Sequence, residues 1–256
     1  MKFIILGCGS SMGVPRADGF FGNCNPKNPK NYRTRCSALI KSKNETIIID
    51  TSPDLRQQLI NNNIKTIDKV FYSHMHADQT HGINDLRVFY LKNKKTIPIF
   101  ADHKTKEYLL NSFSYCFTNN NKEYPAILRF KNINKKLFIK DGKKKISIKP
   151  IVVKHGKVDS ICYILDNKLA YISDVSSINL KYYKYFKNLK YLIIDCLWLR
   201  YHPSHLNLEN SLKLIDTFKP KKAILTNLHS DLDYNYLKKI LPKNVLPAYD
   251  GLSLNL

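Results

Sequence analysis

Short apolar runs broken by polar turns recur along the 256-residue chain. Runs rich in Ile, Leu, Val, Tyr and Phe that are bounded by turn residues are typical of β-strands. The pattern predicts strands at 2–6, 37–41, 46–50, 69–72, 97–100, 145–153, 160–165, 168–173, 189–195, 222–226 and 252–254. Apolar residues at helical spacing predict helices at 53–62, 83–91, 208–218 and 234–241.

The order of these elements indicates the architecture. Strands joined by short turns alternate with strands separated by helices, which favours packed sheets covered by helices. The segment 119–145 is rich in Lys and Asn and has weak periodicity, so we interpret it as an insertion on the surface. Because we find no internal repeat and no linker, we expect residues 1–256 to form a single domain.

Composition excludes several classes of protein. A hydrophobic fraction of 43% argues against a disordered chain. No segment approaches the roughly 20 apolar residues of a membrane helix, so we expect a soluble cytoplasmic protein without membrane contact. The six cysteines include no C-x-x-C pair and are expected to be reduced thiols. Cys24 and Cys36 flank a basic loop, where loop thiols are the interpretation and a structural zinc the alternative.

The net charge of +22 is by itself weak evidence for nucleic-acid binding. Arg, the better ligand for phosphate and base edges, is scarce, and the Lys residues are scattered among Asn, Ile and Tyr. This mixture is typical of A+T-rich coding more than of a dedicated nucleic-acid surface. A positive field still attracts anionic substrates, and RNA stays a possible partner.

The segment His74-Met75-His76-Ala77-Asp78 is the strongest chemical signal, directly after the strand at 69–72. In an extended segment, alternate side chains project from the same side, which brings His74, His76 and Asp78 together. Two imidazoles and a carboxylate suit Zn²⁺, Mn²⁺ or Fe²⁺. The segment therefore predicts a metal site, and a polar loop with incidental histidines is the alternative.

Three later residues of ligand type stand at or just beyond the ends of apolar strands. They are His155, Asp174 and His229. Open α/β sheets gather their sites at the carboxyl ends of strands. Each residue taken alone is compatible with a surface or turn position, but their shared placement favours one site.

This arrangement resembles the metallo-β-lactamase superfamily over nearly the whole chain. Within it, the segments 7–15, 82–87 and 226–234 are most similar to the branch that contains phosphoribosyl 1,2-cyclic phosphate phosphodiesterase. The resemblance implies an α/β (α+β) chain folded as a four-layer αββα sandwich. It also implies that Asp50 is a structural acid and that 248–251 belongs to a closing strand.

The resemblance implies a ligand for each of two metal positions. His74, His76 and His155 would hold a first ion, and Asp174 would bridge both ions. Asp78 and His229 would hold a second, so one or two ions of Zn²⁺ or Mn²⁺ are expected per chain.

Gln79 departs from the pattern of the superfamily, H-x-H-x-D-H, whose last position is a histidine. Its neutral amide oxygen is a weaker zinc ligand than imidazole. The second site could therefore be weaker, selective for a harder ion such as Mn²⁺, or partly empty. His81, two residues later, is an alternative donor.

His205 matches a histidine that lies near the phosphate in the same branch and in tRNA 3′-processing endonucleases. The hypothesis is a metal-dependent phosphodiesterase in which bound metal activates water, Asp174 and Asp78 position it, and His205 assists the departing alkoxide. The alternatives are a tRNA 3′-end endoribonuclease, a thioester or lactone hydrolase, and a metal-binding homologue with impaired activity. Relatives often dimerise, so a homodimer is a further expectation.

Overall fold

Two β-sheets form the centre of the computed structural model, which describes residues 1–118, 124–133 and 137–256. The strands are β1 (Lys2–Gly7), β2 (Ser37–Lys41), β3 (Thr46–Ile49), β4 (Lys69–Phe71), β5 (Ile97–Ala101), β6 (Leu128–Asn132), β7 (Leu137–Asp141), β8 (Lys144–His155), β9 (Val158–Leu165), β10 (Leu169–Ile172), β11 (Tyr191–Asp195), β12 (Lys222–Thr226), β13 (Val245–Pro247) and β14 (Ser253–Asn255). The α-helices are α1 (Leu55–Asn61), α2 (Ala77–Thr80), α3 (Arg87–Asn93), α4 (His103–Ser112), α5 (Leu208–Phe218) and α6 (Tyr234–Ile240).

Each sheet has seven strands and changes from antiparallel to parallel pairing partway across. The first has the order β14-β1-β2-β3-β4-β5-β6, and its pairs from β3 to β6 are parallel. The second has the order β13-β12-β11-β10-β9-β8-β7, and its pairs from β10 to β13 are parallel. Since parallel strands end at the same edge, each sheet gathers the residues that follow its strands.

Three buried clusters fill the spaces between four layers. One joins the two sheets through residues such as Phe3, Phe71 and Tyr171. A second packs α1, α3 and α4 on the first sheet, and a third packs α5 and α6 on the second. The predicted four-layer αββα sandwich is therefore confirmed.

The helices differ from the sequence expectation in two places. The predicted helix at 83–91 is divided into a 3₁₀ turn at Ile83–Leu86 and α3. Helix α4 was not predicted because few of its side chains are apolar and buried, although Asp102 caps it by accepting the Thr105 N–H at 2.9 Å. Among the described residues, no helix has the length and apolar character required to cross a bilayer.

The segment 119–145 is not the surface insertion that its composition predicts. Strand β6 extends the first sheet by pairing Leu128 with Ile97, and β7 extends the second sheet by pairing with β8. Phe130 stacks on Phe117 with ring centroids 4.5 Å apart. These are partners distant in sequence, so local periodicity does not reveal them. Residues 119–123 and 134–136 lie outside the described part of the chain.

All six cysteines are buried and free. Cys24 Sγ accepts from Arg33 at 3.8 Å, and Cys36 Sγ lies 3.4 Å from the Gly9 carbonyl oxygen. Within the part of the chain that the structure describes, neither thiol belongs to a group able to hold a metal. This geometry agrees with loop thiols.

Asp250 ties the C-terminal segment to the first sheet. The resemblance implies a closing strand at 248–251, but this segment is a turn before β14. The Asp250 carboxylate accepts from the Cys8 and Thr34 N–H groups at 3.1 and 2.7 Å, and from the Thr34 hydroxyl at 2.6 Å. These bonds hold both ends of the loop between β1 and β2, part of which lines the site described below.

Asp250→Asn is expected to flatten the pH dependence of stability. Burial raises the pKa of Asp250 from 3.8 to about 6, against the hydrogen bonds from Thr34 and Cys8 that lower it. Because the folded-state pKa is the higher one, the protonated carboxyl stabilises the fold below pH 3.8, and this contribution is lost as the pH rises through about 6. Over that window the wild type should lose up to about 3 kcal/mol that the Asn variant does not lose. Urea denaturation of both proteins at several pH values measures the difference, and parallel curves would contradict it.

Candidate metal centre

The centre is built from residues that follow strand ends in both sheets. His74 and His76 come directly after β4, and Asp78 lies in α2. From the second sheet, His155 is the last residue of β8 and Asp174 follows β10. The β-strand periodicity places the apolar side chains of these strands in the core and leaves the polar residues at the rim.

Asp50 supports the segment that carries the two histidines. It follows β3 with a φ of 64°, a left-handed conformation that Asp tolerates better than most residues. Its Oδ1 accepts the Ser73 N–H at 2.7 Å, one residue before His74. Burial raises the pKa of Asp50 well above its ordinary value of 3.8. These contacts agree with the structural role that the resemblance implies for this residue.

Three imidazole nitrogens converge at the centre. His74 Nε2 lies 2.9 Å from His76 Nδ1, and His155 Nε2 lies 3.3 Å from the same atom. His74 is fully buried, His155 is 4% exposed and His76 is partly exposed. The three residues form a group whose ligand atoms all lie within 4.8 Å of one another.

The outer nitrogens and the burial keep these rings in the form that binds metal. His155 Nδ1 donates to the Ser204 carbonyl oxygen at 2.7 Å, which fixes the ring with Nε2 facing the other histidines. Burial lowers the pKa of His74 to about 3, although Asp174 opposes that shift. Burial followed by the neighbouring His155 lowers the pKa of His76. His74 and His76 are therefore neutral at physiological pH.

Gly156 allows the contact between His155 and the loop that carries Ser204. A Cβ at this position would lie 2.4 Å from Ser204 Oγ, and its φ of +59° is rarely adopted by other residues. The close approach is thus specific to glycine at this turn between β8 and β9.

Asp174 provides the carboxylate opposite the histidines. It is 2% exposed and forms a second group of ligand atoms within 4.8 Å, together with His155 and His205. Burial acts to raise its pKa, but His74, His205 and His155 hold the pKa of this carboxyl below 3.8. The Asn227 side chain donates to the Ser173 carbonyl oxygen and to Asp174 Oδ1, at 3.1 and 3.4 Å. Asp174 is therefore ionised and oriented.

His205 lies on the loop before α5 and is paired with a buried aspartate. Its Nδ1 donates to Asp195 Oδ2 at 2.8 Å, and the same oxygen accepts the Val175 N–H at 3.0 Å. Burial alone would lower the pKa of His205, but Asp195, with Asp174 and Asp78 adding to it, raises the pKa to about 9. Sequence reasoning did not identify Asp195, although it ends β11 in the same way as the ligand-type residues end theirs.

Asp78 and Gln79 face Asp174 from α2. Gln79 is fully buried, and its Nε2 donates to Asp78 Oδ2 at 3.1 Å and to Asp174 Oδ2 at 3.3 Å. Burial and then the charge of Asp174 raise the pKa of Asp78 to about 6. The two carboxylates are therefore bridged by the side-chain amide.

His229 lines the site without joining either converging group of the described residues. Its ring packs on Trp198 with centroids 4.7 Å apart, and its Nδ1 accepts the Asp231 N–H at 3.3 Å. His81 points elsewhere, because its Nε2 contacts the Tyr108 hydroxyl at 2.8 Å and its ring packs on Phe113. His81 is thus no substitute for the histidine expected at position 79.

A cavity of about 340 Å³ is lined by His76, Asp78, His155, Asp174, His205 and His229. Its walls also include two aromatic side chains that the sequence did not single out, Trp198 and His202. His202 packs on His205 with ring centroids 5.1 Å apart, and its Nδ1 accepts the Ser204 N–H at 3.2 Å. The spacing His202-Pro203-Ser204-His205 could have indicated it, since both histidines lie on one loop.

The donors fit a divalent transition ion. Nitrogens of His74 and His155 lie 2.9 and 3.3 Å from His76 Nδ1, and the ionised Asp174 completes the set. These are the nitrogen and oxygen ligands that Zn²⁺ and Mn²⁺ accept. The hydrogen bond from the outer nitrogen of His155 to the Ser204 carbonyl oxygen is also typical of metal-binding histidines.

Comparison with known proteins agrees with this architecture. A family model described as a beta-lactamase superfamily domain matches residues 45–227. A curated relative from Porphyromonas gingivalis (strain ATCC BAA-308 / W83), named octanoyltransferase, is 28% identical over 98% of this chain. The chain spans about half the length of that relative, 51%.

Solved structures extend the comparison. A diphosphatase from the PhnP family is 28% identical, with a TM-score of 0.86 over 99% of this chain and 96% of that one. Zn²⁺-bound PqqB from Methylobacterium extorquens is 16% identical with a TM-score of 0.75, and each chain is covered fully. The short form of human tRNase Z is 14% identical with a TM-score of 0.66, over 100% of this chain and 99% of that one. At these low identities, PqqB and tRNase Z show a shared fold. On the family match and the four-layer fold, the chain belongs to the metallo-β-lactamase superfamily.

Proposed function

We propose that this protein is a metal-dependent phosphodiesterase that acts on a small, possibly cyclic, phosphodiester. The observation that carries the proposal is the meeting of three imidazoles, the ionised Asp174 and the cationic His205 at one site. The 28% identity to a diphosphatase of the PhnP family supports phosphoryl chemistry.

The site separates its charges in a way that suits hydrolysis of an anion. His74, His76, His155 and Asp174 would hold the ion, which when bound supplies Lewis acidity toward water and the phosphoryl oxygens. Asp174, ionised and held by Asn227, accepts a hydrogen bond from the attacking water and orients it. Asp78 lies on the other side of Gln79 and contributes a second acceptor.

His205 is the proposed acid at the leaving oxygen. Asp195 accepts the Nδ1 proton, so the Nε2–H of the cationic ring is free to donate to the substrate. Since the pKa of His205 is raised to about 9, the ring is protonated at neutral pH. A cation placed there stabilises negative charge on phosphate and can deliver a proton to the departing alkoxide.

The cavity and the charge favour a small anionic substrate. A volume of about 340 Å³ is in the range of small-molecule sites and is lined by Met12, Leu197 and Trp198 beside the polar cluster. The net charge of +22 draws anions toward the protein. The guanidinium of Arg200 lies 4.6 Å from the Trp198 ring, which places one cation beside this wall.

The test is a metal-loading and substrate assay on the purified chain. We expect chelator-treated protein to be inactive and added Mn²⁺ or Zn²⁺ to restore hydrolysis of bis(p-nitrophenyl) phosphate and of ribose cyclic phosphates. Octanoyl thioesters, lactones and tRNA precursors serve as competing substrates in the same assay. Metal-dependent turnover of tRNA 3′ ends alone, or of thioesters alone, would replace the phosphodiesterase proposal. Failure to bind any ion after reconstitution would overturn it.

A further inference from the structure

Gln79 occupies the point where two carboxylates of the centre face each other. Its side chain is fully buried, and both acceptors of its Nε2, Asp78 Oδ2 and Asp174 Oδ2, lie within 3.3 Å. An amide nitrogen has two N–H donors, so each carboxylate receives one. The arrangement uses the full donor capacity of this group.

These two hydrogen bonds partly offset the negative charge of the two carboxylates. Asp78 and the buried Asp174 both direct a carboxylate oxygen at one amide nitrogen, and two carboxylates this close repel each other. Donors directed at both anions reduce that repulsion without adding a full charge. An ion that binds between the two carboxylates must first displace the amide and break both of its hydrogen bonds.

The opposite end of the amide offers little to an ion in this arrangement. Gln79 Oε1 is buried and makes no hydrogen bond to the described residues. Turning the amide over to present Oε1 would give up both N–H bonds to the carboxylates. A neutral amide oxygen is also a weaker ligand for zinc than the imidazole usual at this position.

His229 does not compensate for the altered ligand. It lies outside both converging groups of the described residues, while its ring packs on Trp198 and its backbone carbonyl accepts from Arg33 at 3.3 Å. A second position would thus be left with Asp78, Asp174 and His229, and the amide already contacts both carboxylates.

We propose that this chain holds one tightly bound divalent ion, at His74, His76, His155 and Asp174, and that the Gln79 amide replaces the second ion by bridging Asp78 and Asp174. The inference rests on the proposed metal centre. It makes Gln79 the residue that sets the number of ions in this member of the superfamily.

The experiment counts metal ions independently of activity. Chelator-stripped protein is loaded with excess Mn²⁺ or Zn²⁺, desalted, and analysed by elemental mass spectrometry beside the Gln79→His variant. We expect one ion per chain for the wild type and two for Gln79→His. Electron paramagnetic resonance of the Mn²⁺ forms should show isolated ions in the wild type and an exchange-coupled pair in the variant.

His229→Ala provides the matched control in both backgrounds. We expect it to leave one ion in the wild type but to reduce Gln79→His from two ions to one, since the resemblance places His229 at the second position, which only the variant would fill. Circular dichroism and thermal unfolding verify that each variant is folded. The wild-type count and its spectrum decide the proposal even if Gln79→His does not fold.

The outcomes separate this inference from the proposed function. Two tightly bound ions in the wild type, with a coupled Mn²⁺ spectrum, would overturn the role of Gln79 while leaving a metal-dependent enzyme. A wild type that retains no ion would overturn the metal centre itself. A Gln79→His variant that folds and still binds one ion would show that the amide does not set the count.

Discussion

The His76→Ala and Asp174→Ala variants are each expected to lose about 1,000-fold or more in kcat/KM for a phosphodiester, with the fold retained. His76 Nδ1 is the atom that the other two imidazoles approach, so its loss opens the ligand group. Asp174 is the ionised carboxylate that faces both His155 and His205. Removing either residue takes away a ligand and also changes the charge of the cavity.

The measurement is steady-state hydrolysis at saturating Mn²⁺, with bound metal quantified for each variant. His81→Ala is the matched control, because this histidine lies on the same segment but contacts Tyr108 and Phe113 outside the cavity. We expect His81→Ala to retain wild-type turnover. Full activity in a folded His76→Ala or Asp174→Ala protein would contradict the assignment of the centre.

His205→Ala is expected to lower kcat about 100-fold to 10,000-fold, the usual range for a general acid, with bound metal unchanged. The loss should depend on the leaving group. A nitrophenolate leaves readily without a proton, whereas an alkoxide needs one, so an alkyl phosphodiester should lose more than a nitrophenyl one. Equal losses for both substrates would indicate that His205 only stabilises charge on phosphate.

Asp195→Asn tests the positioning of that acid. The carboxylate accepts the Nδ1 proton of His205 and the Val175 N–H, and it touches neither substrate nor metal in the proposed mechanism. We expect about a 10- to 100-fold lower kcat, by analogy with other residues that support a ligand through hydrogen bonds, and little change in KM. The alkyl-to-nitrophenyl preference should shift in the same direction as in His205→Ala. A general folding defect would lower kcat equally for the alkyl and the nitrophenyl phosphodiester.

Local chemistry accounts for much of what could be predicted. His74, His76, His155 and Asp174 each stand beside an apolar strand end, and the structure brings their ligand atoms into the two converging groups. Strand-forming runs such as 46–50 and 222–226 match β3 and β12 closely because their burial depends on the apolar side chains themselves.

Other features depend on partners far away in the sequence. Strand β6 forms only because β5 offers its edge, and Asp195 becomes part of the site only because the loop before α5 returns His205 to it. From the sequence, His229 is a predicted ligand and His81 an alternative donor. Their neighbours, Trp198 in one case and Tyr108 in the other, decide where each ring lies.

The sequence by itself indicated most strands and a first set of candidate ligands, because strand periodicity and the H-x-H-x-D segment are short-range properties. The superfamily and the sandwich followed from the resemblance of its motifs to known relatives. The sequence also revealed that Gln79 departs from the usual ligand, but it left three meanings open for the second site. Only the tertiary structure placed the Gln79 amide between Asp78 and Asp174. Gln79 and Asp174 are 95 residues apart in the sequence. The physical reason is that a side chain's role in a polar cluster depends on which charges the fold brings within hydrogen-bonding distance.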